Sequence, residues 1–242
     1  MVIASNLWHN RLILLTLGEN VSQIAWSYSS LTTFKQCPKK YFHTRVSKDV
    51  KEKESEAIIY GNQLHEIAEK YVRDNEPIPD AFMFIKEPID KILNKFKGDV
   101  FCEHRLGLTI DLTPCKFFDK DVWYRGIIDL LIVNGDTAVI VDYKTGKNPA
   151  YADTKQLEIM SLAVFSHFPD VKTIKSALLF LVNPALIKAD FDRDSKTEMW
   201  VKWYDDVAQL KSCYESNVWN PMPNFTCSRF CPVESCEHNG RN

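Results

Sequence analysis

The sequence predicts an α/β fold in which a mixed central sheet is flanked by helices. Three observations predict it. Apolar residues recur at three- and four-residue spacing over residues 56–73, the pattern switches to alternation from residue 102 onward, and one helical stretch then separates that alternating region from a further apolar, strand-like run. Antiparallel strands followed by a helix and a returning strand give a sheet of mixed direction. With 242 residues, 45% of them hydrophobic and 12% aromatic, the chain can bury the core of one ordinary domain or of one domain with a small appendage.

Residues 1–28 read as an N-terminal extension without an assigned role, residues 29–220 as the core, and residues 221–242 as a cysteine-rich tail. Ser29 is the expected N-cap of a helix that Pro38 interrupts within SSLTTFKQCPKKYF. This segment holds Lys35, Lys39, Lys40 and Arg45 among aromatics, which makes it either a solvated face or a contact for a nucleic-acid backbone. An amphipathic helix follows over 56–73, with Ile59, Leu64, Ile67, Ala68 and Tyr71 on its apolar face and His65 among them. After a second helical stretch at 88–96, strands are expected at 102–110, 122–133 and 137–143, the last two joined by the turn Asn134-Gly135-Asp136. Residues 151–168 return to helical periodicity, 175–183 and 187–191 read as strands, and a helix over 198–219 leads into the tail.

The 30 basic and 32 acidic residues give a net charge of -2, so the field of the whole molecule does not draw in a polyanion, and any such contact must be local. No apolar run approaches the roughly 20 residues that span a bilayer. The short apolar stretch 12–17 lacks the basic leader and cleavage site of an export signal, so a cytoplasmic location is expected. In a reducing compartment the seven cysteines are better read as thiols or metal ligands than as disulfides.

The chemistry concentrates where Val139-Ile140-Val141 ends in Asp142-Tyr143-Lys144. The two-residue repeat of a strand puts Asp142 and Lys144 on one face. Thirteen residues upstream Asp129 closes Gly126-Ile127-Ile128-Asp129 on the neighbouring strand, and the intervening turn can bring it beside Asp142. Two carboxylates about 4 Å apart repel by roughly 4 kcal/mol at an effective dielectric near 20, so both remain ionised only around a cation. Oxygen ligands suit Mg²⁺ or Mn²⁺, and a histidine such as His65 moves the preference a little toward Mn²⁺.

In their order and spacing, Gly61-Asn62-Gln63-Leu64-His65, Gly126 with Asp129, Asp142 with Lys144, and Gln156 resemble the motifs of the RecB-like branch of the PD-(D/E)XK nucleases. That group includes the nuclease domains of bacterial recombination helicase-nucleases, CRISPR-associated RecB-like exonucleases and phage exonucleases. The resemblance covers about residues 29–236 and implies a restriction-endonuclease-like fold. It further implies that His65, Asp129, Asp142 and the backbone carbonyl of Tyr143 hold the metal and that Lys144 orients water or stabilises charge. Glu103 is similar to the family's additional strand carboxylate, and Gln156 to the glutamine that follows the lysine. One departure is Met160, which stands where the family carries a tyrosine.

The implied activity is Mg²⁺- or Mn²⁺-dependent hydrolysis of DNA, by an exonuclease on single strands or duplex ends, in DNA repair, recombination or phage processing. A helicase or recombination partner is the associate it implies. The alternatives are a structure-specific endonuclease on the same core and a non-catalytic DNA-binding module. In the tail, Cys227, Cys231 and Cys236, taken with Cys37 far upstream, resemble the four-iron four-sulfur site of a subset of this family. Zinc held by His238 and the three late cysteines, or no metal at all, are the alternatives there.

Overall fold

The computed structural model describes residues 24–146 and 148–241, so most of the N-terminal extension lies outside the described residues. Two compact units divide the chain: Glu54–Trp200 forms one, and the described residues before Glu54 join those from Val201 onward in the other.

The larger unit is built on one sheet. Among the described residues its six strands are β1 (Asp99–Leu108), β2 (Pro114–Cys115), β3 (Tyr124–Asn134), β4 (Thr137–Lys144), β5 (Thr173–Phe180) and β6 (Ala185–Asp192), in the order β2-β1-β3-β4-β5-β6. All neighbours are antiparallel except β4 and β5, which are parallel. The β3–β4 hairpin closes through two residues, with Asn134 paired to Thr137 and Gly135 at φ +58, a conformation in which a side chain is strained. This is the mixed sheet that the residue pattern predicts, in the restriction-endonuclease-like form that the resemblance implies.

The helices of this unit cover both faces. The α3 helix (Glu56–Asp74) starts at Ser55, whose hydroxyl accepts from Ile58 N, and ends at Asn75 in the left-handed conformation. A 3₁₀ turn (Asp80–Ile85) runs into α4 (Lys86–Lys95). Leu64 and Ala68 of α3 and Ile89 and Ile92 of α4 pack on Leu130, Ile132, Val139, Val141, Tyr143 and Leu179. The alternate buried residues Leu131, Ala138, Ile140 and Leu178 point to the other face, where α5 (Lys155–His167) crosses β1, β3, β4, β5 and β6. His167 Nε2, 2.8 Å from the carbonyl of Gly107, ties the end of α5 to β1. The helix starts at Lys155 and not at residue 151, because Pro149–Tyr151 forms a separate 3₁₀ turn capped by Asn148.

The smaller unit contains α1 (Tyr28–Gln36) and α2 (Pro38–Tyr41), a π-helical turn (Phe42–Val46), most of α6 (Lys196–Ser216), and the tail with its 3₁₀ turn Phe225–Ser228. The N-cap of α1 is Ser27 and not Ser29: the Ser27 hydroxyl accepts from Ser30 N while the Ser30 hydroxyl accepts from Ser27 N, a reciprocal pair that the run Ser27-Tyr28-Ser29-Ser30 does not reveal by residue type. Within this unit Trp26 is buried and stacks on Trp203, with centroids 6.4 Å apart. Among the described residues no helix is long and apolar enough to cross a membrane.

Leu64 is fully buried beside His65 on α3. Leu64→Ala is expected to lower unfolding free energy by about 2–5 kcal/mol through lost burial and a residual cavity, measured by urea denaturation.

Candidate active site

The site begins where the sheet comes apart. The β3–β4 ladder runs from Asn134–Thr137 to Leu130–Val141 and stops there. The next residue on each strand is an aspartate, Asp129 on β3 and Asp142 on β4. In place of the lost ladder bond, the Asp129 carboxylate itself accepts the backbone N–H of Tyr143, Oδ2 lying 2.6 Å from it. Glu103 stands opposite Asp129 on β1, between the pairs Cys102–Leu130 and His104–Ile128, and takes φ +48. For a side-chain-bearing residue that conformation costs on the order of 1–3 kcal/mol, and it persists because the strand is held on both sides. A row of three carboxylates thus crosses β1, β3 and β4.

Charged and polar neighbours close around this row. His65 Nδ1 lies 3.3 Å from Asp129 Oδ1, and its ring meets that of Tyr143 edge-on with centroids 5.9 Å apart. Among the described residues, His65, Glu103 and Asp129 are the group whose donor atoms all lie within 4.8 Å of one another. Asp142 is not in that group. Its Oδ1 accepts from Gln156 Nε2 at 2.6 Å, its Oδ2 is 2.7 Å from Lys144 Nζ, and Lys144 Nζ donates to Gln156 Oε1 at 2.7 Å. Gln156 therefore spans the aspartate and the lysine from α5. Met160, one helical turn on, is a buried core residue of α5.

The electrostatics report excess negative charge. Burial, and then the charge of Asp129, push the Asp142 carboxyl up despite the opposing Lys144. Burial and the same Asp129 charge raise Glu103. For His65, burial disfavours the imidazolium, but the hydrogen bond and charge of Asp129, with Asp142 and Glu103 behind it, outweigh burial and raise its pKa. One nitrogen and converging carboxylate oxygens under net negative potential fit a hard divalent ion such as Mg²⁺ or Mn²⁺. The groups open into a cleft of about 620 Å³ whose walls include Glu69, Ile127 and Thr145. Glu69, four residues after His65 on the same helix face, is a cleft residue that helical spacing could have indicated; Thr145, just past the strand, carried no signal.

The motif glycines have steric reasons. A Cβ on Gly61 would stand 3.1 Å from Thr145 Oγ1, so its absence lets α3 approach the end of β4. A Cβ on Gly126 would stand 2.7 Å from the hydroxyl of Tyr124, a ring fully buried.

In the smaller unit the basic segment is engaged in ion pairs: Lys35 with Asp206 at 2.6 Å, Lys39 with Glu237 at 2.5 Å and Lys40 with Glu52 at 2.8 Å. Arg45 lies on the π-helical turn. Cys37 caps α2 through its sulfur, which also accepts from Met222 N at 3.4 Å. Cys227 accepts from Asn224 N at 3.4 Å, and Cys231 and Cys236 are buried around Val233. None of the seven cysteines forms a disulfide.

The profile of the PD-(D/E)XK nuclease superfamily matches residues 25–100 and 95–236. The chain belongs to this superfamily. The nuclease is also similar to the crystal structure of a "Putative exonuclease" from Eubacterium rectale, at 13% identity and a TM-score of 0.50, over 89% of this chain and 87% of that one. A further crystal structure, of SSO0001, covers 98% of this chain and 97% of its own at 12% identity with a TM-score of 0.40. None of the curated proteins compared with the nuclease matches it.

Gly126→Ala is expected to displace the Tyr124 ring and lower stability by about 1–3 kcal/mol, read as a fall in the midpoint of thermal unfolding. An unchanged midpoint would show that the ring can move.

Proposed function

We propose that this superfamily member is a divalent-metal-dependent deoxyribonuclease of the RecB-like branch, acting as an exonuclease on single strands or duplex ends. One observation carries the reading: Glu103 and Asp129 of adjacent strands converge with His65 of α3, and on the next strand Asp142 faces a lysine held by a glutamine from α5. His65, Asp129, Asp142 and the Tyr143 carbonyl would hold the metal, with Glu103 as a further carboxylate. The description of the Eubacterium rectale structure favours the exonuclease mode.

When bound, a divalent ion lowers the pKa of water and neutralises charge on the phosphate. The chain's own groups do the rest. Lys144, held between Asp142 and Gln156, keeps a cation where negative charge grows on the phosphate oxygens and needs no reorientation during reaction. Asp129 is itself oriented by the Tyr143 N–H, so one carboxylate oxygen is fixed by the backbone and the other faces His65. Hydrolysis adds water across one P–O bond, and the departing oxygen leaves with a proton from solvent.

Asp142→Ala is expected to abolish cleavage while leaving the fold intact by circular dichroism; undiminished cleavage would overturn the assignment. The same assay, with Mg²⁺ or Mn²⁺ on linear single-stranded, linear duplex and closed circular DNA, separates an exonuclease, which leaves circles whole, from an endonuclease.

For the smaller unit we propose a four-iron four-sulfur cluster on Cys37, Cys227, Cys231 and Cys236. Its support is the hydrogen bond that brings the tail at Met222 to Cys37. Such a cluster would tie the tail to the α1–α2 segment. Protein purified without oxygen is expected to be brown and to contain about four irons per chain; a colourless, iron-free and stable preparation would count against it.

A further inference from the structure

The face that carries the carboxylates does not end at them. Strand side chains repeat every two residues, so Arg105 and Gly107 of β1 lie on the same face as Glu103, and Ile127 and Arg125 of β3 on the same face as Asp129. The register pairs Arg105 with Ile127 and Gly107 with Arg125. Arg125 is thus four residues along β3 from Asp129, about 13 Å at ~3.3 Å per residue. Ile127, between them, is 37% exposed and lines the cleft, so the surface is continuous.

At its far end this surface carries a built aromatic and cationic cluster. Phe117 and Phe118, in the segment between β2 and β3, meet edge to face with centroids 4.9 Å apart. The Arg105 guanidinium lies 5.7 and 5.9 Å from the two ring centroids, and that of Arg125 lies 5.7 Å from each. Phe118 is nevertheless 73% exposed, so its ring is held by two cations on one side and open on the other. Within the segment Lys116 and Lys120 balance Asp119 and Asp121, so the two arginines supply its net positive charge. An apolar ring held in water beside two cations buries little of its own surface. It suits a ligand with a flat π-face and phosphates.

We propose that Phe118, backed by Phe117 and flanked by Arg105 and Arg125, is a stacking and phosphate-gripping platform for unpaired nucleotides of the substrate strand, a short stretch of chain away from the carboxylates. This rests on the nuclease reading above and sharpens it. Bases inside a duplex already cover each other's faces, so a stacking platform selects a single strand or a frayed end. The guanidinium groups beside the ring can then take the phosphates bidentately.

The test is fluorescence anisotropy with a labelled single-stranded DNA oligonucleotide and a blunt duplex of equal length, in EDTA so that neither is cut, together with steady-state cleavage of the single strand in Mg²⁺. Phe118→Ala is expected to weaken single-strand binding about tenfold and to raise KM with kcat within about twofold, since base–aromatic stacking contributes roughly 5- to 100-fold per base. Phe118→Trp should restore both, and duplex affinity should stay within about twofold. Arg105→Ala with Arg125→Ala should reduce the slope of log affinity against log salt by about 1.4, at roughly 0.7 for each single-strand phosphate contact, whereas Phe118→Ala leaves it unchanged. Single-strand affinity and KM of Phe118→Ala equal to wild type, in a protein that cuts DNA, would overturn the platform alone. A wild type that neither binds nor cuts DNA would overturn the platform and the nuclease reading together.

Discussion

The hydrogen bond from the Tyr143 backbone to the Asp129 carboxylate is the contact on which the site depends. A β-ladder that continued past Leu130 and Val141 would pair backbone with backbone and leave no opening between β3 and β4. One that simply stopped would leave a buried N–H unpaired, at a cost of about 1–3 kcal/mol. Asp129 resolves the conflict by ending the ladder with its side chain. A carboxylate that would otherwise be free to turn is oriented by the backbone, and the strands part where Asp142 needs room. The left-handed Glu103 across the sheet is the matching distortion on β1.

Opening the sheet there creates an electrostatic problem, because Asp129 and Asp142 are both buried, and burial together with the charge of Asp129 pushes the Asp142 carboxyl up. The protein offsets part of it. Lys144 faces Asp142, and Gln156 ties the two together with one donor and one acceptor, a pairing that only an amide side chain of that length provides. His65 faces Asp129 from the other side, on a helix that Gly61 allows close to Thr145. Three carboxylates against one lysine and one histidine still leave an excess of negative charge, which a divalent cation would offset. Helices from both faces of the sheet contribute, so the site needs α3, α5 and three strands in register at once.

Much of this was legible in the sequence, for reasons that can be stated residue by residue. The amphipathic α3 helix, the hairpin around Gly135 and the strand ending in Asp142 and Lys144 announce themselves through periodicity and turn chemistry, and the order of the motifs supplied the fold. What stayed hidden is what periodicity does not encode. The φ of Glu103, the carboxylate-to-backbone bond of Asp129 and the choice of Ser27 over Ser29 as a cap depend on partners distant in sequence or indistinguishable by type. The two-residue β2 strand is too short for any pattern. Lys35, Lys39 and Lys40 read as a free basic segment, yet each faces an acid within its own unit. Exposed pairs of this kind contribute at most about 1 kcal/mol, so a phosphate could replace the acid at little cost.

A chain with a net charge of -2 that gathers carboxylates in its cleft should repel a phosphodiester strand at the place where it must react. Divalent ions reverse the sign only at the carboxylates themselves. Elsewhere attraction has to come from fixed cations placed on the same face but beyond direct contact with the acids. Were Arg105 beside Asp129 rather than beside the phenylalanines, it would neutralise a ligand oxygen and compete with the metal. It is held instead 5.7 Å over Phe117, and the aromatic face contributes without any charge at all. Segregating acids at one end of the β1–β3 surface and arginines at the other would let one face serve metal and strand together.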